Sequence, residues 1–227
     1  MVPPLALDID GTLTTAEHTI APRAFSLLAD WPAPVVLATG KAFPYPVALC
    51  QFVGIPERVV AENGGVALAD GELAYAGDPE RVDAAVEAFE NRGGDLGWDG
   101  VDTINRWRET EIAASRTADE ALLREVAAEF DLAFVDSGYA YHLKSADVSK
   151  GAALAGVAGI LGYDLEEFVA VGDSENDVST FDVVGESYAV ANADESAKRS
   201  ADQVLERGYV DGTLDALQAV SDRSQNE

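Results

Sequence analysis

The sequence predicts an α/β protein in which a parallel-sheet domain is interrupted by a smaller α+β module. Three observations carry this. Short β-branched runs alternate with helical segments up to about residue 65, and the same alternation returns from Ser149. The stretch between them has a different, antiparallel texture. Three of the strands in the two outer segments end on acidic residues or on Thr-Gly.

The elements follow in chain order. PLALDI (4–9) reads as a short buried strand, and apolar residues at helical spacing (Ala24, Leu27, Leu28) mark a helix over 20–30 that stops before Trp31-Pro32. PVVLATG (34–40) is a second strand, 44–53 a helix, and RVVAENGG (58–65) a third strand. Residues 66–76 form a hairpin around Asp70-Gly71. A helix over 79–91, a Gly-rich loop, a strand at 111–117 and an amphipathic helix at 118–130 follow. LAFVDS and YAYHLKS then pair about a turn at Ser137-Gly138. The outer pattern resumes with a helix at 149–161, a strand at 167–173, a helix at 175–184 and a strand at 187–192. A helix at 194–200, a strand at 202–205 and a helix from 211 complete it. The expected division is 1–79 and 147–227 for the main domain and 80–146 for the insertion.

Composition narrows the function. With 227 residues, 48% of them hydrophobic, the chain supports a full core without disulfide or structural metal. Its 41 Asp and Glu against 15 Lys and Arg give a formal net charge of −26. At about 1 M salt the Debye length is about 3 Å, so such a surface hardly repels itself, whereas in dilute buffer it does. An adaptation to molar salt is therefore expected. The same field disfavours nucleic acid and anionic membranes as partners. The lone cysteine, Cys50, sits in a helical context (VALCQFVG) that reads as packing. The N-terminal MVPPLALDID lacks a signal-like pattern, and no stretch approaches the roughly 18 apolar residues of a membrane span, so a soluble cytoplasmic protein is expected.

In open parallel sheets, ligands bind beyond the carboxyl ends of the strands. Here those ends carry Asp8 and Asp10, Thr39 and Gly40, and Asp173 with Asp177 a turn later; Lys150 opens the helix before the last of these strands. Each has an ordinary alternative taken singly: an Asp after a strand caps or turns the chain, Lys150 lies on a surface, Thr39 forms a turn. Taken together, four carboxylates at one sheet edge need a cation to offset their repulsion. An all-oxygen set suits a hard ion such as Mg²⁺.

DIDGT (8–12), Thr39-Gly40, Lys150 and GDSEND (172–177), in that order, resemble the motifs of the haloacid dehalogenase-like (HAD) phosphohydrolases. AENGG (61–65), the length and the insertion resemble the cap-bearing sugar-phosphatase branch, and within it the archaeal-type phosphoglycolate phosphatases. The resemblance implies a Rossmann-like parallel-sheet core with an α/β cap of the C2 type at 80–146. It also implies a Mg²⁺-dependent phosphatase for a small phosphate ester, 2-phosphoglycolate first among them. Asp8 would be the nucleophile and Asp10 the acid/base, with the Asp10 carbonyl also on the metal. Asp8, Asp173 and Asp177 would hold Mg²⁺. Gly11, Thr39, Gly40 and Lys150 would hold the phosphoryl oxygens, and Asn176 would serve the phosphate side by orienting its loop or Lys150.

In the cap, Arg106 and Arg108 flank Trp107 and offer a fork for a substrate carboxylate; their alternative is pairing with surface acids. His142 reads as a strand or core residue, His18 as a loop residue, and Trp31 and Trp98 as packing and loop anchors. A sugar-phosphate phosphatase or phosphomutase shares the chemistry. A phospho-receiver is the non-enzyme alternative, although it needs neither Asp10 nor a cap. A P-loop enzyme is disfavoured because no G-x-x-x-x-G-K-[ST] occurs. Monomer and homodimer both remain open.

Overall fold

The structure, a computed structural model, describes residues 1–225. Its main sheet takes β1 (Leu5–Leu7), β2 (Val35–Ala38), β3 (Val59–Ala61), β4 (Val66–Ala69) and β5 (Glu72–Tyr75) from the first segment. From the last segment come β9 (Val169–Gly172), β10 (Glu186–Ala189) and β11 (Gln203–Val204). The order is β11-β10-β9-β1-β2-β3-β4-β5, parallel from β11 through β3, with β4 and β5 antiparallel. The central strands β1, β2, β3 and β9 are buried throughout. That is why they read as continuous apolar runs without alternation.

Helices α1 (Pro22–Ala29), α2 (Pro44–Val53), α5 (Lys150–Leu161), α6 (Val178–Phe181), α7 (Glu195–Ser200) and α8 (Tyr209–Gln225) accompany this sheet. Ser149 caps α5 by accepting a hydrogen bond from the Ala152 N–H at 3.2 Å, and Gly162 ends it in the left-handed region. Cys50 is fully buried in α2, and burial pushes its thiol up to about 11, which keeps it protonated and inert. Trp31 is buried with its indole N–H donating to the Pro3 carbonyl at 2.9 Å.

The inserted stretch forms a three-stranded antiparallel sheet, β6 (Glu111–Ser115), β8 (Ala140–Ser145) and β7 (Leu132–Asp136) in spatial order. Helices α3 (Pro79–Asn91) and α4 (Glu120–Glu129) pack on it around Val82, Phe89, Leu123, Val126, Tyr141 and Leu143. Side chains alternate along β8, so Tyr141 and Leu143 face these helices while His142 and Lys144 take the opposite face. Trp98 anchors the loop before β6 by donating to the Ala113 carbonyl at 2.8 Å. Among the described residues no helix is long and apolar enough to cross a membrane.

Two departures from the sequence reading shape the site. The strand expected over 58–65 ends at Ala61, because Glu62 and Asn63 adopt positive φ of 52° and 54° and leave the pleat. Their amide groups donate instead to the Lys41 and Thr39 carbonyls, at 3.0 and 3.1 Å. Gly64 follows at φ 106°, where an added Cβ would stand 2.2 Å from the Ser149 carbonyl oxygen. The turn thus brings β3 against the start of α5. The helix expected over 175–184 is a 3₁₀ turn at Glu175–Asp177 followed by the single-turn α6. Asp177 folds back to accept from the Asp173 and Ser174 amides at 3.0 and 3.1 Å, which tightens the turn.

Candidate active site

The site is built where β1, β2 and β9 end together. The Asp8 amide still donates to the Val171 carbonyl at 3.1 Å, so the last ladder bond fixes the residue beyond the strand. Lys150, at the first position of α5, is 1% exposed and donates to Asp8 Oδ1 at 2.7 Å, Asp177 Oδ1 at 2.7 Å and Asn176 Oδ1 at 3.3 Å. Burial alone would lower the Lys150 ammonium, but the charges of Asp177 and Asp8 outweigh it and hold the group above its ordinary range.

Asp8, Asp173 and Asp177 each offer a carboxylate oxygen within 4.8 Å of the others. Burial, only partly opposed by Lys150 and reinforced by Asp177 and Asp10, pushes Asp8 up to about 7. Burial and then the charges of Asp8 and Asp177 push Asp173 up to about 9. Both oxygens of Asp177 are engaged by Lys150 and the turn amides, whereas the Asp173 carboxylate accepts no hydrogen bond among the described residues. Three hard oxygen donors, one of them uncommitted, with two acids disfavoured as anions, fit a divalent cation such as Mg²⁺.

Gly11 shapes this cluster. At φ 79°, a Cβ there would lie 2.0 Å from Asp173 Oδ2. Its N–H, which the resemblance assigns to phosphate, donates to Thr14 Oγ1 at 2.8 Å instead. Asp10 lies outside the group of three carboxylates, and its Oδ2 pairs with Lys41 Nζ at 3.0 Å. Thr39 Oγ1 accepts from the Lys41 amide at 3.1 Å.

A cavity of about 230 Å³ opens in front of these groups. Asp8, Asp10, Thr39, Gly40 and Asn176 line it from the main domain, and Arg108 and His142 line it from the inserted one. The two arginines of NRWRET therefore part company. Arg106 is exposed, whereas the Arg108 side chain is 5% exposed and pairs with the fully buried carboxylate of Glu111. His142 is a buried strand residue whose Nδ1 lies 2.9 Å from Glu111 and whose Nε2 lies 3.1 Å from Ser137 Oγ. His18 lies in an exposed loop. Burial would raise the Glu111 carboxyl, but the charges of His142 and Arg108 and hydrogen bonds from His142 and Asn63 hold it below its ordinary range.

Three features escaped the sequence reading. Lys41 follows Thr39-Gly40 directly, and that adjacency was its only signal. Glu62 is fully buried and accepts from the Thr110 amide at 2.8 Å, the Thr110 hydroxyl at 2.9 Å and the Glu109 amide at 3.0 Å. Asn63 donates to Glu111 at 2.8 Å and accepts from Asn176 at 2.9 Å. A hydrogen-bonded chain thus runs from Lys150 through Asn176 and Asn63 to Glu111 and Arg108.

A parallel-sheet core thus gathers three carboxylates and a buried ammonium beside a cavity that the inserted module also lines, which is the fold and site of a hydrolase family. The chain belongs to the haloacid dehalogenase-like hydrolases, whose family model matches residues 5–106 and 104–217. It is 63% identical to the phosphoglycolate phosphatase of Halorubrum lacusprofundi over 99% of this chain and 100% of that protein. It is 39% identical to the phosphoglycolate phosphatase of Archaeoglobus fulgidus over 94% and 95% of the two chains. Among solved structures, Thermoplasma acidophilum 0175 matches with a TM-score of 0.84 at 26% identity, covering 97% of this chain and 99% of that one.

Proposed function

We propose that this chain is a Mg²⁺-dependent phosphatase that hydrolyses 2-phosphoglycolate to glycolate and phosphate through an aspartyl-phosphate on Asp8. The observation that carries the reading is the placement of Asp8 against Lys150, 2.7 Å away, at the wall of a cavity shared with Asp10. The relatives' activity as phosphoglycolate phosphatases supplies the substrate.

In this reading an Asp8 oxygen attacks phosphorus while the bond to the ester oxygen breaks, and Asp10 gives that oxygen its proton. Water then attacks the aspartyl-phosphate at phosphorus, loses its proton to Asp10 and regenerates the Asp8 carboxylate. Lys41 holds Asp10 at the cavity wall. Lys150, Thr39 and the Gly40 amide hold phosphoryl oxygens, and Asn176 orients Lys150. Asp8, Asp173, Asp177 and the Asp10 carbonyl would hold Mg²⁺, which supplies positive charge against the phosphoryl oxygens. Residues 80–146 act as the cap that excludes water, on a core formed by 1–79 and 147–227. The single protonated cysteine fits work in the reducing cytoplasm.

The test is phosphate release from 2-phosphoglycolate, hexose phosphates and an aryl phosphate in Mg²⁺ and high KCl. Fastest turnover of 2-phosphoglycolate, abolished in Asp8→Asn, is the expected result. Hexose phosphates as the better substrates would move the reading to a sugar phosphatase, and full activity in Asp8→Asn would end the proposed mechanism.

A further inference from the structure

The side chains around the cavity that carry or can carry positive charge differ in how far their donors are already used. Lys150 is committed to Asp8, Asp177 and Asn176. Lys41 is paired with Asp10. Both ring nitrogens of His142 are occupied, by Glu111 and Ser137. Arg108 is the exception. Its guanidinium is buried, Nη1 pairs with Glu111, and Nε has no partner. Nη2 makes no hydrogen bond among the described residues. A guanidinium carries five donors in a rigid fork, and leaving buried donors unmet is costly.

We propose that Arg108 is the specificity residue of the site, offering its unspent Nη2 to a carboxylate on the leaving group of the substrate. The inference rests on the phosphatase reading above and adds the group that chooses among phosphate esters. Glu111 holds Nη1 and Nε is sealed from solvent, so Nη2 is the donor left at the cavity for a substrate carboxylate. Asn63 and His142 hold Glu111 in turn. Electrostatics argues the same way. A second negative group on the substrate enters a cavity already bordered by Asp8 and Asp10 in a chain of net charge −26. The spare Nη2 donor meets that group directly, on a guanidinium whose net charge Glu111 balances. Arg106, exposed and outside the cavity lining, lacks these properties.

The experiment measures kcat/KM of wild type, Arg108→Met and Arg108→Lys on two esters, in Mg²⁺ and high KCl. One is 2-phosphoglycolate. The other is 2-hydroxyethyl phosphate, which replaces the carboxylate by a hydroxymethyl group. Wild type should favour 2-phosphoglycolate, and the ratio of the two values should fall roughly 100-fold in Arg108→Met. Arg108→Lys should keep part of the preference, because an ammonium still pairs with a carboxylate but lacks the fixed planar geometry of the guanidinium. A wild-type preference that survives unchanged in Arg108→Met overturns the role of Arg108 and leaves the phosphatase reading standing. Absence of the preference in wild type overturns the role of Arg108 and the choice of 2-phosphoglycolate as substrate, while turnover of both esters leaves the phosphatase reading standing. Should Arg108→Met fail to fold, Arg108→Lys decides, and an unchanged ratio there overturns the proposal.

Discussion

Lys150 Nζ stands 2.7 Å from Asp8 Oδ1 although the two residues are 142 positions apart in the chain. The same ammonium lies 2.7 Å from Asp177 Oδ1. Because β1 and β9 are direct neighbours and α5 leads back to β9, a short strand end, a helix start and a tight turn converge on one point. The buried cation keeps two carboxylates in place that would otherwise repel each other without solvent to screen them.

Lys150→Met should therefore destabilise the fold as well as the chemistry. Removing one partner of a buried ion pair costs about 3 kcal/mol or more, limited here because Asp8 can take up a proton. Urea unfolding of the metal-free protein checks the first effect. Phosphate release, expected to fall at least about 100-fold, checks the second. An unchanged urea midpoint would mean that the ammonium does not hold the acids together.

The metal-free protein should lose stability as pH rises. Asp173 is pushed up to about 9 and Asp8 to about 7 in the folded state. Both are far above the ordinary carboxylate value, so the folded state binds more protons than the unfolded one. This contribution is fully present below about pH 4 and is lost as pH climbs through about 7 and then about 9. A divalent cation that stabilises the carboxylate form should raise the melting temperature more at alkaline than at acid pH. Thermal melts with Mg²⁺ and with chelator across that range make the comparison. Asp173→Asn should flatten the metal-free slope; an equal slope in that variant would remove Asp173 as its cause.

Gly11→Ala should damage cation binding before it damages the core. The new methyl would meet Asp173 Oδ2 at 2.0 Å, at a φ of 79° that alanine resists. Displacing this carboxylate should weaken Mg²⁺ binding roughly 10–100-fold, read by titration calorimetry. Wild-type affinity would show that Asp173 has room to move without consequence.

The sequence made the frame of the site legible because its motifs are local. An apolar run ending on Asp8, a β-branched run ending on Thr39-Gly40 and the GDSEND turn each announce a strand end. The parallel alternation then brings those ends to one edge. What stayed hidden depends on pairings across the two modules. Glu111 looks like the first residue of an ordinary strand, and only the fold shows that it is buried between Arg108, His142 and Asn63. AENGG stood out as a pattern without disclosing that Glu62 would leave the strand and bind the backbone at Glu109 and Thr110. Arg106 and Arg108 are equivalent in a linear reading, and a turn of chain separates one to solvent and the other to the cavity.

Glu62 ties the two modules together, so Glu62→Ala should loosen that junction. The variant would strand the Thr110 amide and hydroxyl and the Glu109 amide, all of which Glu62 now satisfies. Unmet buried donors cost about 1–3 kcal/mol each. The expected signs are a lower melting temperature and faster proteolysis near Arg106 and Arg108, while Glu62→Gln, which keeps one acceptor oxygen, should be milder. Cleavage at the wild-type rate would count against this anchor.

Salt provides the last test, because two electrostatic effects oppose each other. Diluting salt strengthens exposed ion pairs such as Arg207 with Asp215 and Arg116 with Asp136. Each is worth about 0–1 kcal/mol. Dilution also lengthens the Debye length from about 3 Å near 1 M to about 10 Å near 0.1 M, which restores repulsion among unpaired acids. With 41 acidic residues against 15 Lys and Arg, negative charge is in large excess, so repulsion should win. The melting temperature should fall steadily as KCl is removed, with chelator present throughout so that divalent ions do not intervene. A rise on dilution would mean that the paired charges outweigh the unpaired ones.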